Sequence, residues 1–151
     1  MELKEGAELV NIFRKSYSIV GALLMLEYFV QLFFIAGGIF TIANADDNQK
    51  SVYAAFKNAD SFMGAHAFNG WLIGILIIIL FALAFAARWP RRTIGLTGLL
   101  LGLYVVQFVL AHTGLPALSA LHGVNAVIMI GLTGFLVGRN WAFRQPVSPA
   151  V

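Results

Sequence analysis

The sequence predicts an all-α fold: an integral membrane four-helix bundle made of two tandem helical hairpins. Three observations predict it, namely the apolar composition, the long uncharged stretches, and a set of polar residues that recurs in both halves. Hydrophobic residues make up 60% of the 151 residues and charged residues 11%, against about 25% charged residues in an ordinary soluble domain. This composition excludes a soluble globule, a disordered chain and a nucleic-acid-binding protein, so the net charge of +3 is not a nucleic-acid signal.

The uncharged stretches define the helices. Residues 17–45 hold one charge, Glu27, whereas residues 61–87 and 93–138 hold none. One membrane span needs roughly 20 apolar residues, so the last stretch is long enough for two. Residues 113–116, Thr-Gly-Leu-Pro, divide it, because Gly and Pro together end one helix and begin another. The predicted spans are about 17–39, 61–87, 93–113 and 116–138.

The segments between and beyond the spans predict the orientation. They are an N-terminal arm (1–16), an outer loop (40–60), a tight turn (88–92) and a C-terminal tail (139–151). Eight of the ten Lys and Arg residues lie in the arm, the turn and the tail, and two lie in the outer loop. The positive-inside rule then places both termini in the cytoplasm, in a bacterial-type inner (plasma) membrane. The amphipathic arm either lies on the inner membrane surface or begins span 1.

Four kinds of polar residue mark an internal repeat. The pairs are Tyr28 with Tyr104 and Gln31 with Gln107, at an offset of 76, and His66 with His122 and Asn69 with Asn125, at an offset of 56. Such residues are rare inside a membrane, so these matches are unlikely by chance. Spans 1 and 3 run outward and spans 2 and 4 run inward, which predicts halves related by a pseudo-two-fold axis along the membrane normal. The offsets differ by 20 residues, which we assign to a longer outer loop in the first half.

Two histidines at matched depth predict a cofactor site. His66 lies about five residues inside span 2 and His122 about six inside span 4, so we expect them to face each other in the outer leaflet. Haem iron commonly takes axial imidazole ligands, which predicts one b-type haem near the outer face, with His66 and His122 as its metal ligands. Small residues beside the histidines, among them Gly64, Ala67 and Gly123, would make room for the macrocycle. The other candidate cofactor-binding residues are Gln31, Gln107, Asn69, Asn125, Gly70 and Ala126.

Three functional alternatives remain open on these residues. A haem protein would serve electron transfer or haem handling, with a redox partner, a membrane complex or a quinol, rather than catalysis. A cofactor-free accessory subunit of a membrane complex would use the same His and Asn side chains as polar contacts between helices. A copper or zinc site would combine His66 and His122 with His112.

A family resemblance bears on this choice. Residues 106–116, Val-Gln-Phe-Val-Leu-Ala-His-Thr-Gly-Leu-Pro, with Ala-Leu-His at 120–122, resemble the haem A synthase family. That family has two four-helix halves, each able to hold haem between histidines, and this chain resembles one half. It also resembles small four-helix bacterial membrane proteins with the same Gln and His-x-x-Asn pattern. The resemblance implies that His66 and His122 are axial ligands. The family's catalytic Glu has no counterpart, since Met63, Gly64 and Ala65 precede His66, so haem oxidation is not implied.

Three features have no partner in the repeat. Glu27, opposite Leu103 in the alignment, is either a protonated helix contact or a residue of a proton relay or quinol site. His112 is an interfacial residue or, alternatively, a partner of a haem propionate or a metal. The outer segment 49–59 is expected to form a short helix that caps the bundle or docks a partner.

Overall fold

Four long helices make up the structure, which is a computed structural model. It describes residues 2–48 and 51–144, with side chains for 5–48, 51 and 53–144. The helices are α1 (Glu2–Asp47), α2 (Val52–Ala86), α3 (Arg91–Ala111) and α4 (Pro116–Arg139). Each is long and apolar enough to cross a membrane. The prediction of an all-α chain with four membrane-length helices is therefore confirmed, and the arrangement is consistent with a four-helix bundle.

Helices α1 and α2 are longer than the spans predicted within them. They have 46 and 35 residues, or about 69 and 52 Å at 1.5 Å per residue, against a hydrocarbon core of about 30 Å. The described part of the arm, 2–16, is continuous with span 1 as one helix, and most of the expected outer loop at 40–60 is helical. Residues 39–47 and 51–60 contain five Ala and neither Gly nor Pro, so no strong helix breaker ends these helices where apolarity ends.

The 20 extra residues between Gln31 and His66, relative to Gln107 and His122, extend the helices of the first hairpin. Helix α1 continues 16 residues past Gln31, whereas α3 continues four past Gln107. Helix α2 begins 14 residues before His66, whereas α4 begins six before His122. The extra residues of the first hairpin therefore lengthen its two helices by 12 and eight residues.

The chain divides into two compact units. The first, called here the hairpin unit, is Met25–Ile75 and contains the second half of α1 and the first part of α2. Glycines allow close packing inside it, because a Cβ on Gly37 would lie 2.5 Å from Cε1 of Phe62 and one on Gly38 would overlap Met63. Further along the same two helices the packing is between small side chains, since Ala45, Ala55 and Ala59 are buried.

The second unit, called here the four-helix unit, comprises residues 2–24 and 76–144 of the described chain and contains parts of all four helices. Helix α3 packs on α4, and α1 approaches α4 at Gly21, where a Cβ would lie 2.5 Å from Cγ2 of Val137. The largest side chains with no exposed surface in its core include Tyr17, Leu24, Ile77, Leu80, Leu100 and Leu136.

Many large apolar side chains are exposed on both units, while several polar side chains are buried. Phe29, Phe68 and Val127 are 64, 75 and 70% exposed, whereas Asn69 and Asn125 are 3 and 7% exposed. Such an arrangement is unfavourable in water, where large exposed apolar patches promote association. It is the arrangement expected when the surrounding solvent is lipid, because intramembrane polar residues face the protein interior.

Candidate functional site

The polar residues predicted in the first hairpin form one hydrogen-bonded cluster between α1 and α2. The side chain of Asn69 donates from Nδ2 to the backbone oxygen of Glu27 at 3.0 Å and to Oε1 of Gln31 at 2.9 Å. The Nε2 atoms of Gln31 and His66 lie 3.3 Å apart. Three side chains and one backbone carbonyl thus join the two helices inside the hairpin unit.

The direction of these hydrogen bonds follows from the backbone. A carbonyl oxygen only accepts, so the atom of Asn69 that faces the oxygen of Glu27 is the amide nitrogen. That nitrogen also donates to Gln31, which fixes the oxygen of Gln31 towards Asn69 and its NH₂ group towards His66. The Nε2 atom of His66 therefore accepts, and in the neutral ring the proton lies on Nδ1.

The second hairpin repeats two of these hydrogen bonds. Asn125 donates from Nδ2 to the backbone oxygen of Leu103 at 2.9 Å and to Oε1 of Gln107 at 2.7 Å. Leu103 precedes Gln107 by four residues, as Glu27 precedes Gln31 in the first hairpin. In both hairpins, therefore, the asparagine makes the same pair of contacts. One is to a glutamine side chain, and the other is to the backbone carbonyl one helical turn before that glutamine.

The histidine of the second hairpin, His122, also carries its proton on Nδ1, but through a different hydrogen bond. The Nδ1 atom of His122 lies 3.0 Å from the backbone oxygen of Gln107. Because that oxygen accepts, Nδ1 of His122 donates, and Nε2 carries the lone pair in the neutral ring. His66 and His122 are thus both held as the Nδ1–H tautomer, the first by a glutamine side chain and the second by a glutamine backbone carbonyl.

Helical position decides which small residues share a face with each histidine. Gly70 and Ala126 follow their histidines by four residues, which places them on the same face, and both are half-buried. A Cβ on Gly70 would lie 3.7 Å from Nε2 of Gln31, an ordinary contact. Gly64, Ala67 and Gly123, also expected to make room for a macrocycle, are exposed. Only Gly70 and Ala126 of this group therefore combine the right face with partial burial.

The remaining candidates occupy separate places. Glu27 is half-buried, and its backbone oxygen belongs to the cluster of Asn69. His112 is exposed at the end of α3, where Nδ1 donates to the backbone oxygen of Phe108 at 2.8 Å and the two rings pack 4.5 Å apart. Among the described residues, no three of His, Cys, Asp and Glu form a group that could hold a metal ion. The three-histidine copper or zinc site gains no support from this arrangement.

A second buried polar cluster, not expected from the sequence, lies in the four-helix unit. The hydroxyls of Tyr17 and Thr97 are 3.0 Å apart, and Thr93 donates to Oδ1 of Asn140 at 3.3 Å. Ser18 donates to the backbone oxygen of Asn140 at 3.2 Å. The spacing of Thr93 and Thr97 by four residues was the available signal, because it places two hydroxyls on one helical face. Asn140, assigned to the tail at 139–151, is 6% exposed.

Comparison with known protein families gives one match. Residues 53–114 match a family described as "Family of unknown function (DUF6220)". The matched part includes His66, Asn69 and Gln107 and stops before His122. Neither the curated proteins nor the solved structures gave a match.

Proposed function

We propose that this protein spans a bacterial-type inner membrane as two tandem hairpins with both termini in the cytoplasm. Four helices of sufficient length and apolarity support the spanning, and the placement of eight of the ten Lys and Arg residues supports the orientation. The recurrence of the Asn–Gln and Asn–carbonyl hydrogen bonds in both hairpins supports a pseudo-two-fold relation along the membrane normal.

The orientation can be tested on a clean background because the chain contains no cysteine. Single substitutions Ser51→Cys and Phe143→Cys place one exposed thiol at each end of the helices. A membrane-impermeant maleimide added to intact spheroplasts should label Ser51→Cys and leave Phe143→Cys unlabelled until the membrane is broken. The opposite labelling pattern would contradict the proposed orientation.

Within this membrane we propose that the protein binds one b-type haem near the outer face, and that His66 and His122 would hold its iron. The observation that carries the proposal is the hydrogen bonding of the two histidines, which leaves Nε2 of each ring with the lone pair, because an imidazole binds iron through an unprotonated ring nitrogen. Metal-ligating histidines usually donate their other N–H to a carbonyl or carboxylate. The contact of His122 Nδ1 with the backbone oxygen of Gln107 has this form.

His66 fits the same role with one change of contact. Its Nε2 accepts from Gln31 at 3.3 Å, which is at the long end of N–H donor distances. Ligation would use the same lone pair, so the amide nitrogen of Gln31 would release it. The oxygen of Gln31 would remain bonded to Asn69, which keeps the side chain beside the ring. Gln31, Gln107, Asn69 and Asn125 are then positioning residues, and Gly70 and Ala126 leave room beside the histidines.

The haem would supply one-electron chemistry, and the chain would hold and orient it. The protein would then serve electron transfer or haem handling for a redox partner or a membrane complex. A quinol is a candidate electron donor, because Glu27 is an intramembrane acid that could exchange a proton near the cluster. The resemblance of residues 106–122 to the haem A synthase family supports haem binding and does not extend to haem oxidation.

Absorption spectra of the purified protein, oxidised and dithionite-reduced, test the haem proposal. We expect a sharp α-band in the reduced protein and its loss in both His66→Ala and His122→Ala. His112→Ala is the matched control, because it removes an exposed histidine and should retain the band. A colourless preparation from haem-sufficient cells would contradict the proposal, and loss of the band in His112→Ala would show that the ligands are wrongly assigned.

One observation favours a second candidate, a cofactor-free accessory subunit. The Asn side chains of both hairpins bridge neighbouring helices through a Gln and a backbone carbonyl, and such contacts stabilise helix packing without any ligand. This candidate predicts a colourless, folded protein that co-purifies with other membrane subunits. The absorption spectrum therefore distinguishes the two candidates directly.

A further inference from the structure

The connection between α2 and α3 places an arginine where a glycine is usual. The backbone N–H of Trp89 donates to Ala84 O at 3.2 Å and that of Arg88 donates to Phe85 O at 2.9 Å. This pair of bonds is the Schellman motif that closes a helix, with Arg88 at the left-handed position and φ of 49°. That conformation is unfavourable for a residue with a Cβ, so the backbone does not account for an arginine there.

Two more arginines follow at the start of α3. Arg91 and Arg92 are exposed in its first turn, at the end of the helix where the macrodipole is positive and cations are unfavourable. The preceding residue, Pro90, provides no side-chain cap. No Asp or Glu follows Asp60 in the chain. We call Arg88, Arg91 and Arg92 the arginine turn; its charges repel one another and the helix end, which favours an anion bound there.

The arginine turn is held in place by two residues of α1, Arg14 and Tyr17. The guanidinium of Arg14 lies 4.7 Å from the centre of the Trp89 ring and donates to the backbone oxygen of Ala87 at 3.2 Å. The ring of Tyr17 meets Trp89 edge-on at 6.0 Å. The indole Nε1 of Trp89 is buried and has no hydrogen-bond partner among the described residues. The backbone that carries the three exposed arginines is therefore anchored to α1.

We propose that the arginine turn binds the phosphate group of an anionic phospholipid. The turn joins two candidate spans, Tyr53–Ala86 and Arg91–Ala111, so in a spanning protein it lies at the level of the lipid headgroups. Guanidinium groups bind phosphate oxygens in pairs, and basic side chains beside a membrane attract anionic lipid. The proposal rests on the membrane placement proposed above and is independent of haem.

Native mass spectrometry of the purified full-length protein tests the proposal with three probes. They are dioctanoyl phosphatidylglycerol, dioctanoyl phosphatidylcholine and inorganic phosphate. We expect phosphatidylglycerol adducts at concentrations where phosphatidylcholine gives none. Equal binding of both lipids would overturn the proposal, and competition by inorganic phosphate at the same concentration would assign the site to soluble phosphate instead of lipid. A haem-free preparation should give the same result, so failure of the haem proposal is distinguishable.

Variants separate binding from folding. Replacement of Arg88, Arg91 and Arg92 together by Gln should weaken phosphatidylglycerol binding about a hundredfold, because each basic residue near the membrane surface contributes about fivefold in affinity. Arg139→Gln with Arg144→Gln is the control, because it removes two other exposed cations of the same unit. Arg88→Gly guards against misfolding: Gly suits the left-handed position, so the protein should be at least as stable yet bind phosphatidylglycerol several-fold more weakly. Unchanged binding in Arg88→Gly would overturn the role of Arg88.

Discussion

Replacement of Asn125 by Leu should destabilise the protein through the loss of two hydrogen bonds between α3 and α4. The side chain donates to Leu103 O at 2.9 Å and to Gln107 Oε1 at 2.7 Å and is 7% exposed. Hydrogen bonds between transmembrane helices contribute about 0.6 kcal/mol on average and up to about 1.7 kcal/mol. We therefore expect Asn125→Leu to lower the free energy of unfolding by about 1–3 kcal/mol, including the cost of leaving Gln107 without its donor.

A double-mutant cycle isolates the Asn125–Gln107 contact. The free energy of unfolding of the wild type, Asn125→Leu, Gln107→Leu and the double variant is measured by SDS titration in mixed micelles. The sum of the two single-variant losses should exceed the loss in the double variant by a coupling energy of about 0.6–1.7 kcal/mol. Val127→Leu is the control, because Val127 is 70% exposed on the same helix and should change stability by less than about 0.5 kcal/mol. A coupling energy below about 0.3 kcal/mol would refute the reasoning.

Two further predictions concern packing and the second polar cluster. Gly21→Ala should destabilise the protein by about 1–3 kcal/mol in the same titration, because the new Cβ would lie 2.5 Å from Val137. Gly6→Ala should leave the free energy of unfolding unchanged or raise it by up to about 1 kcal/mol, since no atom lies within 4 Å of a Cβ at Gly6. Equal effects of Gly21→Ala and Gly6→Ala would contradict the close approach of α1 and α4. Tyr17→Phe should lower the free energy of unfolding by about 1 kcal/mol through loss of the hydroxyl contact with Thr97, and an unchanged stability would exclude that contact.

The membrane-length helices and the polar pairs were readable from sequence for a physical reason. Charge is costly in lipid, so uncharged stretches mark membrane-length helices, and the four helices are present as expected. The pairing of Gln31 with Gln107 and Asn69 with Asn125 was visible because polar residues are rare in such helices. Their hydrogen bonds then recur in both hairpins. Whether His66 and His122 share a haem stays a prediction, because it depends on a bound group.

Other features could not be read from apolarity. The end of an apolar stretch marks where lipid would end, whereas a helix ends where backbone propensity fails. Most of the expected loop at 40–60 therefore forms the extended ends of α1 and α2. The Asn side chains also donate to the backbone oxygens of Glu27 and Leu103. Every residue has a backbone oxygen, so the sequence does not show which one accepts. The contact of Ser18 with Asn140 joins residues that are far apart in the sequence, so no local sequence pattern predicts it.

The most direct test of the haem proposal is the electron paramagnetic resonance spectrum of the oxidised, purified protein. Two neutral imidazole ligands, as the Nδ1–H tautomers of His66 and His122 provide, predict a low-spin ferric signal from one haem per chain. A high-spin ferric signal would show that at most one of these histidines binds iron. The absence of any haem signal in protein from haem-sufficient cells would contradict the proposed function and leave the cofactor-free subunit in its place.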